Sequence, residues 1–263
     1  MKIATWNVNS VRTRLEHITD WLTANPVEVL CLQETKVMDD RFPRDAFESL
    51  GYHLYVSGQK AYNGVAIATR PPLESVSHGF GAVLGSDQVG DLDAQKRVIT
   101  GMVEDIRIVN LYVPNGSSIG SDKYAYKLRW FGVLKQYLQA LLAESPNLLV
   151  CGDFNVAPAD QDIYNPEGKE THIMASPQER AALQENVLEL GLADAFRKFT
   201  EGGGYFSWWD YRAGSFQHNR GWRIDHHYLS PPLYERAIGC AIDIQPRERE
   251  KPSDHTPVVV ELA

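Results

Sequence analysis

The chain has 263 residues, 43% of them hydrophobic and 23% charged. Those proportions suit a soluble chain with a sizeable core and exclude a disordered or fibrous one. No apolar run approaches the roughly 18 residues that a membrane-spanning helix needs, and the net charge of −8 leaves a local basic patch as the only electrostatic route to a polyanion.

Three cysteines, Cys31, Cys151 and Cys240, lie in apolar segments with no CxxC or Cys/His zinc spacing. An odd number placed this way fits a reducing compartment, not a disulfide scaffold. The N-terminal MKIATWNVNS carries no signal-peptide apolar stretch and reads as a first strand. The expected location is the cytoplasm.

Elements alternate at first. Lys2–Trp6 is a short strand, and Val11, Leu15, Ile18 and Leu22 mark one face of a helix over Val11–Ala24. Val27–Gln33 is a buried strand. The pattern then becomes strand-rich, over Tyr52–Ser57, Gly64–Thr69, Arg97–Glu104 and Ile106–Val113, with a hairpin turn at Glu104-Asp105. Leu128, Phe131, Leu134, Leu138 and Leu141 recur at helical spacing in Tyr124–Ala143, and Leu148–Cys151 is the next strand. Ser176-Pro177-Gln178-Glu179 is a capping box with proline at the first helical position, opening a helix that should stop at Gly191. Strands return at Tyr205–Trp208, Arg223–Leu229, Ala237–Ile244 and Val258–Leu262. No linker divides the chain. One α/β domain over 1–263 is expected, with two packed mixed sheets and helices outside rather than a simple parallel βαβ repeat.

Polar residues gather at strand ends. The first strand closes on Asn7-Val8-Asn9, the second runs into Gln33-Glu34-Thr35-Lys36, and NLYVPNG delivers Tyr112 and Asn115. CGDFNVAP places Asp153 and Asn155 two residues apart, RIDHHYL sets Asp225 in an apolar strand, and KPSDHTPV puts Asp254 and His255 before the last strand. Each segment alone has a structural reading: an Asx turn, or an Asp225–Arg223 ion pair. Six such segments are harder to explain as independent turns. If the strand ends share one rim, Asn7, Glu34, Tyr112, Asp153, Asn155, Asp225, Asp254 and His255 converge. That oxygen-rich set without cysteine suits a hard divalent cation such as Mg²⁺. The histidine adds acid–base capacity. The chemistry suggested is metal-assisted hydrolysis of a phosphate ester.

WNVN at 6–9, LQETK at 32–36, YVPNG at 112–116, GDFN at 152–155, SWWDYR at 207–212, RGWRID at 220–225 and KPSDH at 251–255 resemble the exonuclease III class of apurinic/apyrimidinic endonucleases, within the endonuclease/exonuclease/phosphatase superfamily. The motifs stand in that family's order and span nearly the whole chain. The resemblance implies a four-layer α/β sandwich and a DNA-repair enzyme. Such an enzyme incises the backbone 5′ to abasic sites and leaves a 3′-hydroxyl, often with 3′→5′ exonuclease and 3′-end-cleaning activity. It also implies roles. Glu34 is the principal Mg²⁺ ligand (Mn²⁺ substituting), with Asn7 beside it and Asp153, Asn155, Asp254 and His255 completing the metal and acid cluster. Asp153 handles the attacking water, Asn155 contacts phosphate, and Tyr112 serves the phosphate or the leaving oxygen. His255 binds the scissile phosphate with Asp225 as partner. Ser10 stands where relatives often have glycine, and His226-His227 where they usually carry apolar residues. Both histidines read best as structural.

By the same resemblance Trp208, Trp222 and Ile224 line a pocket for an extrahelical abasic sugar, which selects by size and by the low cost of extruding an unpaired nucleotide. Arg212 matches a position that enters the duplex, and Asn115 lies in a substrate-facing motif. Lys36, Arg97, Lys123, Lys127 and Arg212 are candidates for phosphate contacts. The partner implied is double-stranded DNA with abasic sites or blocked 3′ ends, bound by a monomer, with no membrane. Two other readings compete: a phosphatase of another superfamily branch, and a nucleic-acid-binding protein on the same fold without catalysis.

Overall fold

The computed structural model describes residues 1–263. Twelve strands form in chain order: β1 (Lys2–Asn7), β2 (Val29–Gln33), β3 (His53–Ser57), β4 (Val65–Thr69), β5 (Glu74–His78), β6 (Val98–Val103), β7 (Ile106–Tyr112), β8 (Leu148–Asp153), β9 (Ala193–Asp194), β10 (Asp225–Leu229), β11 (Ala237–Ile242) and β12 (Val258–Leu262). The α-helices are α1 (Leu15–Ala24), α2 (Arg44–Glu48), α3 (Gly81–Leu84), α4 (Ser86–Val89), α5 (Asp122–Glu144), α6 (Pro177–Asn186), α7 (Ala195–Phe199) and α8 (Pro231–Arg236). Two six-stranded sheets result, in the orders β11-β12-β1-β2-β4-β3 and β5-β6-β7-β8-β10-β9. The central strands of both are buried on each face, which is why VLCLQ and LLVCGD read as continuous apolar runs and not as alternating ones.

Three apolar clusters define the layers. One joins α1 and α2 to the outer face of the first sheet, through Trp6, Ile18, Leu22, Leu32 and Phe47. A second fills the space between the sheets with Ile3, Cys31, Ile67, Ile108, Leu149, Cys151 and Val260. The third packs α5 and α6 on the second sheet through Phe131, Leu134, Leu138, Val150 and Leu183. The expected helix–sheet–sheet–helix sandwich is the observed one.

The register decides where function can sit. β1 pairs with β2, and β7 with β8, in parallel, so four carboxyl ends face one rim. β10 runs antiparallel to β8, and β12 to β1, so their amino ends arrive at the same rim. Tyr112 and Asp225 are both register partners of Asp153. Just beneath the rim, Gln33 and Asn110 stitch the sheets together: Gln33 Nε2 donates to Asn110 Oδ1 (2.7 Å), and Asn110 Nδ2 donates to the carbonyls of Leu32 and Ala66.

Several boundaries differ from expectation. The first helix begins at Leu15, not Val11, because Asn9 and Ser10 adopt left-handed backbone (φ 44° and 92°) and residues 11–14 form a turn. α6 ends at Asn186 and passes through a 3₁₀ turn to Gly191, whose φ of 88° closes it. Tyr205–Trp208 is not a strand, since only single bridges link Trp208 to Trp222 and to His255. Polar ESVSH forms the edge strand β5, which the hydrophobic pattern did not signal.

Candidate active site at the shared rim

The glycine of CGDFN explains how β8 delivers its acid. At Gly152 (φ 141°) a Cβ would lie 1.9 Å from the Leu111 carbonyl, so only glycine allows β8 to lie this close to β7. The next two polar residues then turn inward. Asp153 Oδ1 accepts the Asn155 backbone N–H (2.9 Å), which makes the Asx turn real and places Asn155 in the left-handed region (φ 50°). The structural reading of this stretch, an Asx turn after a strand, is thus the observed one.

Around Asp153 the site is continuous. Asn7 Nδ2 donates to both Asp153 Oδ2 (2.9 Å) and Glu34 Oε1 (2.9 Å). Its Oδ1 accepts the backbone N–H of Asn9 (3.0 Å), so the amide presents its donor, not its oxygen, to the carboxylates. Glu34 pairs with Lys36 at 2.8 Å. His255 Nδ1 lies 2.9 Å from Asp225 Oδ2, and its Nε2 lies 3.7 Å from Asp153 Oδ2. Asn155 Nδ2 donates to the Val113 carbonyl and to Asp153, while its Oδ1 accepts from Asn115 Nδ2 (3.1 Å). Tyr112 completes this side, with the Arg97 guanidinium stacked 4.5 Å from its ring centroid.

Burial and charge set the protonation states. Burial pushes Asp153 up to about 7, with Asp225 and Glu34 adding repulsion against the pull of His255. Burial works against charging His255, but Asp225 and Asp153 outweigh it and raise the imidazole to about 10. Burial likewise lifts Glu34, yet the Lys36 ammonium and the Asn7 amide bring its carboxyl below the ordinary value. Burial, then the Glu34 charge, holds the Tyr112 phenol well above its usual range. The result is a protonated imidazole beside a carboxylate poised near neutrality.

Glu34, Asp153 and His255 each offer a ligand atom within 4.8 Å of the others. The fit to a hard cation rests on the two carboxylates, Glu34 and Asp153, which one amide donor bridges, with the Lys36 ammonium at the Glu34 edge. Asp254 is not in this group. Its oxygens accept from Asn9 Nδ2 and Trp208 Nε1 (3.0 Å each), so it ties the KPSDH loop to two neighbours. Asn7 and Asn155 also have their amide oxygens engaged within the protein.

Two grooves flank the cluster. One, of about 590 Å³, is lined by Trp208 and Trp222, which meet edge to face, with Tyr164, His172, Met174 and Arg220. Ile224 does not line it. It is 1% exposed and packs behind with Ala157 and Ile163. Arg212 is exposed on the loop beyond. Trp209 is the inward-facing member of the tryptophan pair, its Nε1 donating to Asn219 Oδ1. The other groove, about 640 Å³, holds Arg97, Tyr112, Asn115 and Lys123. Lys127 is not a surface cation, since it is fully buried against Glu179.

Arg223 does not pair with Asp225. It donates to Asp162 Oδ1 and Asp194 Oδ2 (2.7 Å each) and lies 3.0 Å from His226 Nδ1. His226 Nε2 reaches the Val156 carbonyl and His227 Nε2 the Val258 carbonyl, so both histidines are structural. Residues that strand-end reasoning passed over matter here. Ser207 Oγ accepts the N–H groups of Ile224 and Asp225, and Ser253 Oγ donates to the Asn7 carbonyl. Their signal was adjacency to motifs, which gives no hint of which partner a serine takes.

The model of the Endonuclease/Exonuclease/phosphatase family matches residues 4–255. The chain is 35% identical to the exodeoxyribonuclease III of Haemophilus influenzae, over the whole length of both proteins. Among solved structures it is similar to the 3′ phosphatase NExo from Neisseria bound to a product DNA hairpin (40% identity, TM-score 0.94, 100% of this chain and 99% of that one). It is equally similar to an AP endonuclease from Archaeoglobus fulgidus (40% identity, TM-score 0.93, the same coverage).

Proposed function

Since the chain belongs to the endonuclease/exonuclease/phosphatase family, we propose that it is a DNA-repair phosphodiesterase. It incises the backbone 5′ to abasic sites, leaves a 3′-hydroxyl, and removes phosphate and nucleotides from 3′ ends. The observation that carries this reading is the Asp225–His255 pair set 3.7 Å from an Asp153 that Asn7 links to Glu34. Similarity to the Neisseria 3′ phosphatase and to the Archaeoglobus AP endonuclease supports the substrate class.

The residues divide the work. Protonated His255 binds the scissile phosphate, because its charge is fixed by Asp225 and its Nε2 faces the cluster. That protonation makes it a hydrogen-bond donor to the phosphate and not a cation ligand. Asp153, held at a fixed angle by the Asn7 amide and the Asn155 N–H, orients the attacking water and takes its proton. Tyr112 and Asn155 bracket the phosphate, with Asn115 holding the Asn155 amide in place. Glu34 and Asp153 would hold a divalent cation, Mg²⁺ with Mn²⁺ able to substitute, and such an ion would supply Lewis-acid neutralisation of the charge that develops during hydrolysis. Trp208 and Trp222 receive the sugar, while Arg97, Lys123, Arg212 and Lys36 face the backbone. Asp254 and Asn7 hold the cluster together.

A duplex with one abasic analogue and a duplex with a 3′-phosphate at a nick test the reading, each with Mg²⁺ or EDTA and with Asp153→Asn as control. Cleavage 5′ to the lesion and phosphate release, both abolished by EDTA and by the substitution, are the expected results. Folded protein inactive on both DNAs, but active on phosphoinositides or binding RNA without cutting it, would overturn the reading in favour of its two competitors.

A further inference from the structure

Lys127 lies on α5, behind the site and out of reach of any substrate. Its side chain is fully buried. The ammonium has three donors, and three acceptors surround it: Glu179 Oε1 at 2.5 Å, the Asn155 carbonyl at 2.7 Å and the Asn115 carbonyl at 3.2 Å. Glu179 is anchored in turn. Its carboxylate accepts from Met174 N and from the backbone and hydroxyl of Ser176 in the α6 capping box. One turn earlier on α5, Tyr124 OH meets Ser176 Oγ (2.7 Å) and Gln178 Oε1 (2.9 Å).

We propose that Lys127 is a positioning residue of the active site, a fixed point from which Asn115 and Asn155 hold Asp153. This rests on the function proposed above. Asn155 sits at φ 50°, a left-handed conformation that asparagine tolerates in an Asx turn, and partners on both sides fix its two peptide planes. The peptide plane that follows Asn155 is fixed by Lys127 through its carbonyl. The plane that precedes it is fixed by Asp153 Oδ1 through its N–H. Releasing the first lets the second rotate, and the Asp153 carboxylate loses the bond that sets its angle. Asn115, gripped by the same ammonium, holds the Asn155 side chain from the other groove.

Burying a charge for this purpose is costly, and a buried ion pair contributes little net stability over an apolar replacement. Bulk stability is thus a poor explanation for the pair. What apolar packing cannot supply is directional contact with two carbonyl oxygens from separate loops.

The test compares Lys127→Met with the doubly neutral Lys127→Met/Glu179→Gln, whose glutamine keeps an acceptor for the capping box. Both are assayed on the abasic and the 3′-phosphate duplexes, with DNA affinity measured in EDTA and thermal unfolding alongside. A displacement near 1 Å at a reacting group costs about 100-fold in rate. The expected result is a kcat lowered by about that factor in both variants, with KM and DNA affinity within about twofold of wild type. The double variant regains the thermal stability that the single one loses. Recovery of kcat together with stability in the double variant, or an unchanged kcat in Lys127→Met, would overturn the proposal. Should neither fold, Lys127→Arg decides: its planar fork cannot place one donor on each of three acceptors around a single nitrogen. A lower kcat at unchanged affinity then supports positioning, and an unchanged kcat rejects it. Wild-type protein inactive on both duplexes would instead sink the functional reading, and the inference with it.

Discussion

Asp225→Asn removes one charge and keeps the shape. Asp225 is fully buried, one oxygen accepts from His255, and the other has no hydrogen-bond partner, so the imidazole is the only hydrogen-bond partner of its carboxylate. Two unit charges 2.9 Å apart interact by about 6 kcal/mol at an effective dielectric near 20. That is roughly four pKa units before burial takes its share, in keeping with the lift of His255 from 6.5 to about 10. In the variant the imidazole keeps Asp153, at 3.7 Å, and the weaker pull of Asp254 against the same burial, and should titrate near neutrality. The sign follows. Wild-type His255 stays protonated until the pH nears 10, whereas the variant loses its proton across pH 6–8. Initial rates on the abasic duplex, measured from pH 6 to 9 at saturating Mg²⁺, should show kcat/KM at pH 8 reduced by about 100-fold. Part of the loss should be recovered as the pH falls to 6. A variant within threefold of wild type at pH 8 would refute the assignment of His255 as the charged hydrogen-bond donor to the phosphate. An equal loss at every pH would leave Asp225 as an orienting group only.

Ser10 stands at φ 92°, which glycine tolerates and serine does not, and its hydroxyl makes only exposed bonds to Thr13. Ser10→Gly should raise stability by about 1 kcal/mol, or roughly 2 °C in a thermal melt, with incision unchanged; a lower Tm would show that the Thr13 contacts outweigh the strain. His226 is held at about 4, first by burial and then by Arg223. The unfolded chain therefore binds the extra proton between about pH 6.5 and 4, and stability falls through that window by up to about 3 kcal/mol. His226→Gln, which can keep both bonds, should flatten that part of the pH–stability curve in urea titrations, and an unchanged slope would assign acid sensitivity elsewhere. DNA affinity should fall steeply with salt despite the acidic net charge, and Arg97→Ala or Arg212→Ala should each lower the slope of log K against log salt by about 0.9 if one phosphate contact is lost. A slope unmoved by both would place the backbone contacts on other side chains.

Long elements were legible because their patterns are physical. Leu128, Phe131, Leu134, Leu138 and Leu141 sit on one stripe of α5, and all except half-buried Leu128 are inside. The buried central strands announced themselves as apolar runs. Illegible parts were those that tertiary contacts decide. ESVSH pairs as an edge because β6 offers it a ladder, and Tyr205–Trp208, which follows a bend at Gly202 and Gly203, pairs only through single bridges. The rim residues were readable from their place at strand ends. Their orientations were not: no pattern says that Asn7 turns its donor to the acids, that Asp254 is occupied by Asn9 and Trp208, or that Lys127 is internal. A lysine on an amphipathic helix usually lies in water, and only the Glu179 of a distant capping box reveals that this one does not.

The left-handed residues make a final connection between fold and site. Asn9, Ser10, Glu34, Lys36 and Asn155 all have φ between 44° and 92°, and all lie within three residues of the carboxyl end of a central strand. A strand that leaves a parallel pair normally carries its side chains outward with the pleat. A single residue at positive φ reverses the chain at once and turns its neighbours over the sheet. The strain persists because the ladder continues past the strands: Val8 N–H reaches the Gln33 carbonyl (3.1 Å) and Ser10 N–H the Glu34 carbonyl (2.8 Å). At Ser10 the strain serves only the backbone, so glycine can relieve it. At Glu34 and Asn155 the same φ places the carboxylate and the amide, so Glu34→Gly or Asn155→Gly would relax the chain and dismantle the cluster together. The acid and the amide stand at the end of a core strand because that is where a rigid sheet can hold a bent chain still.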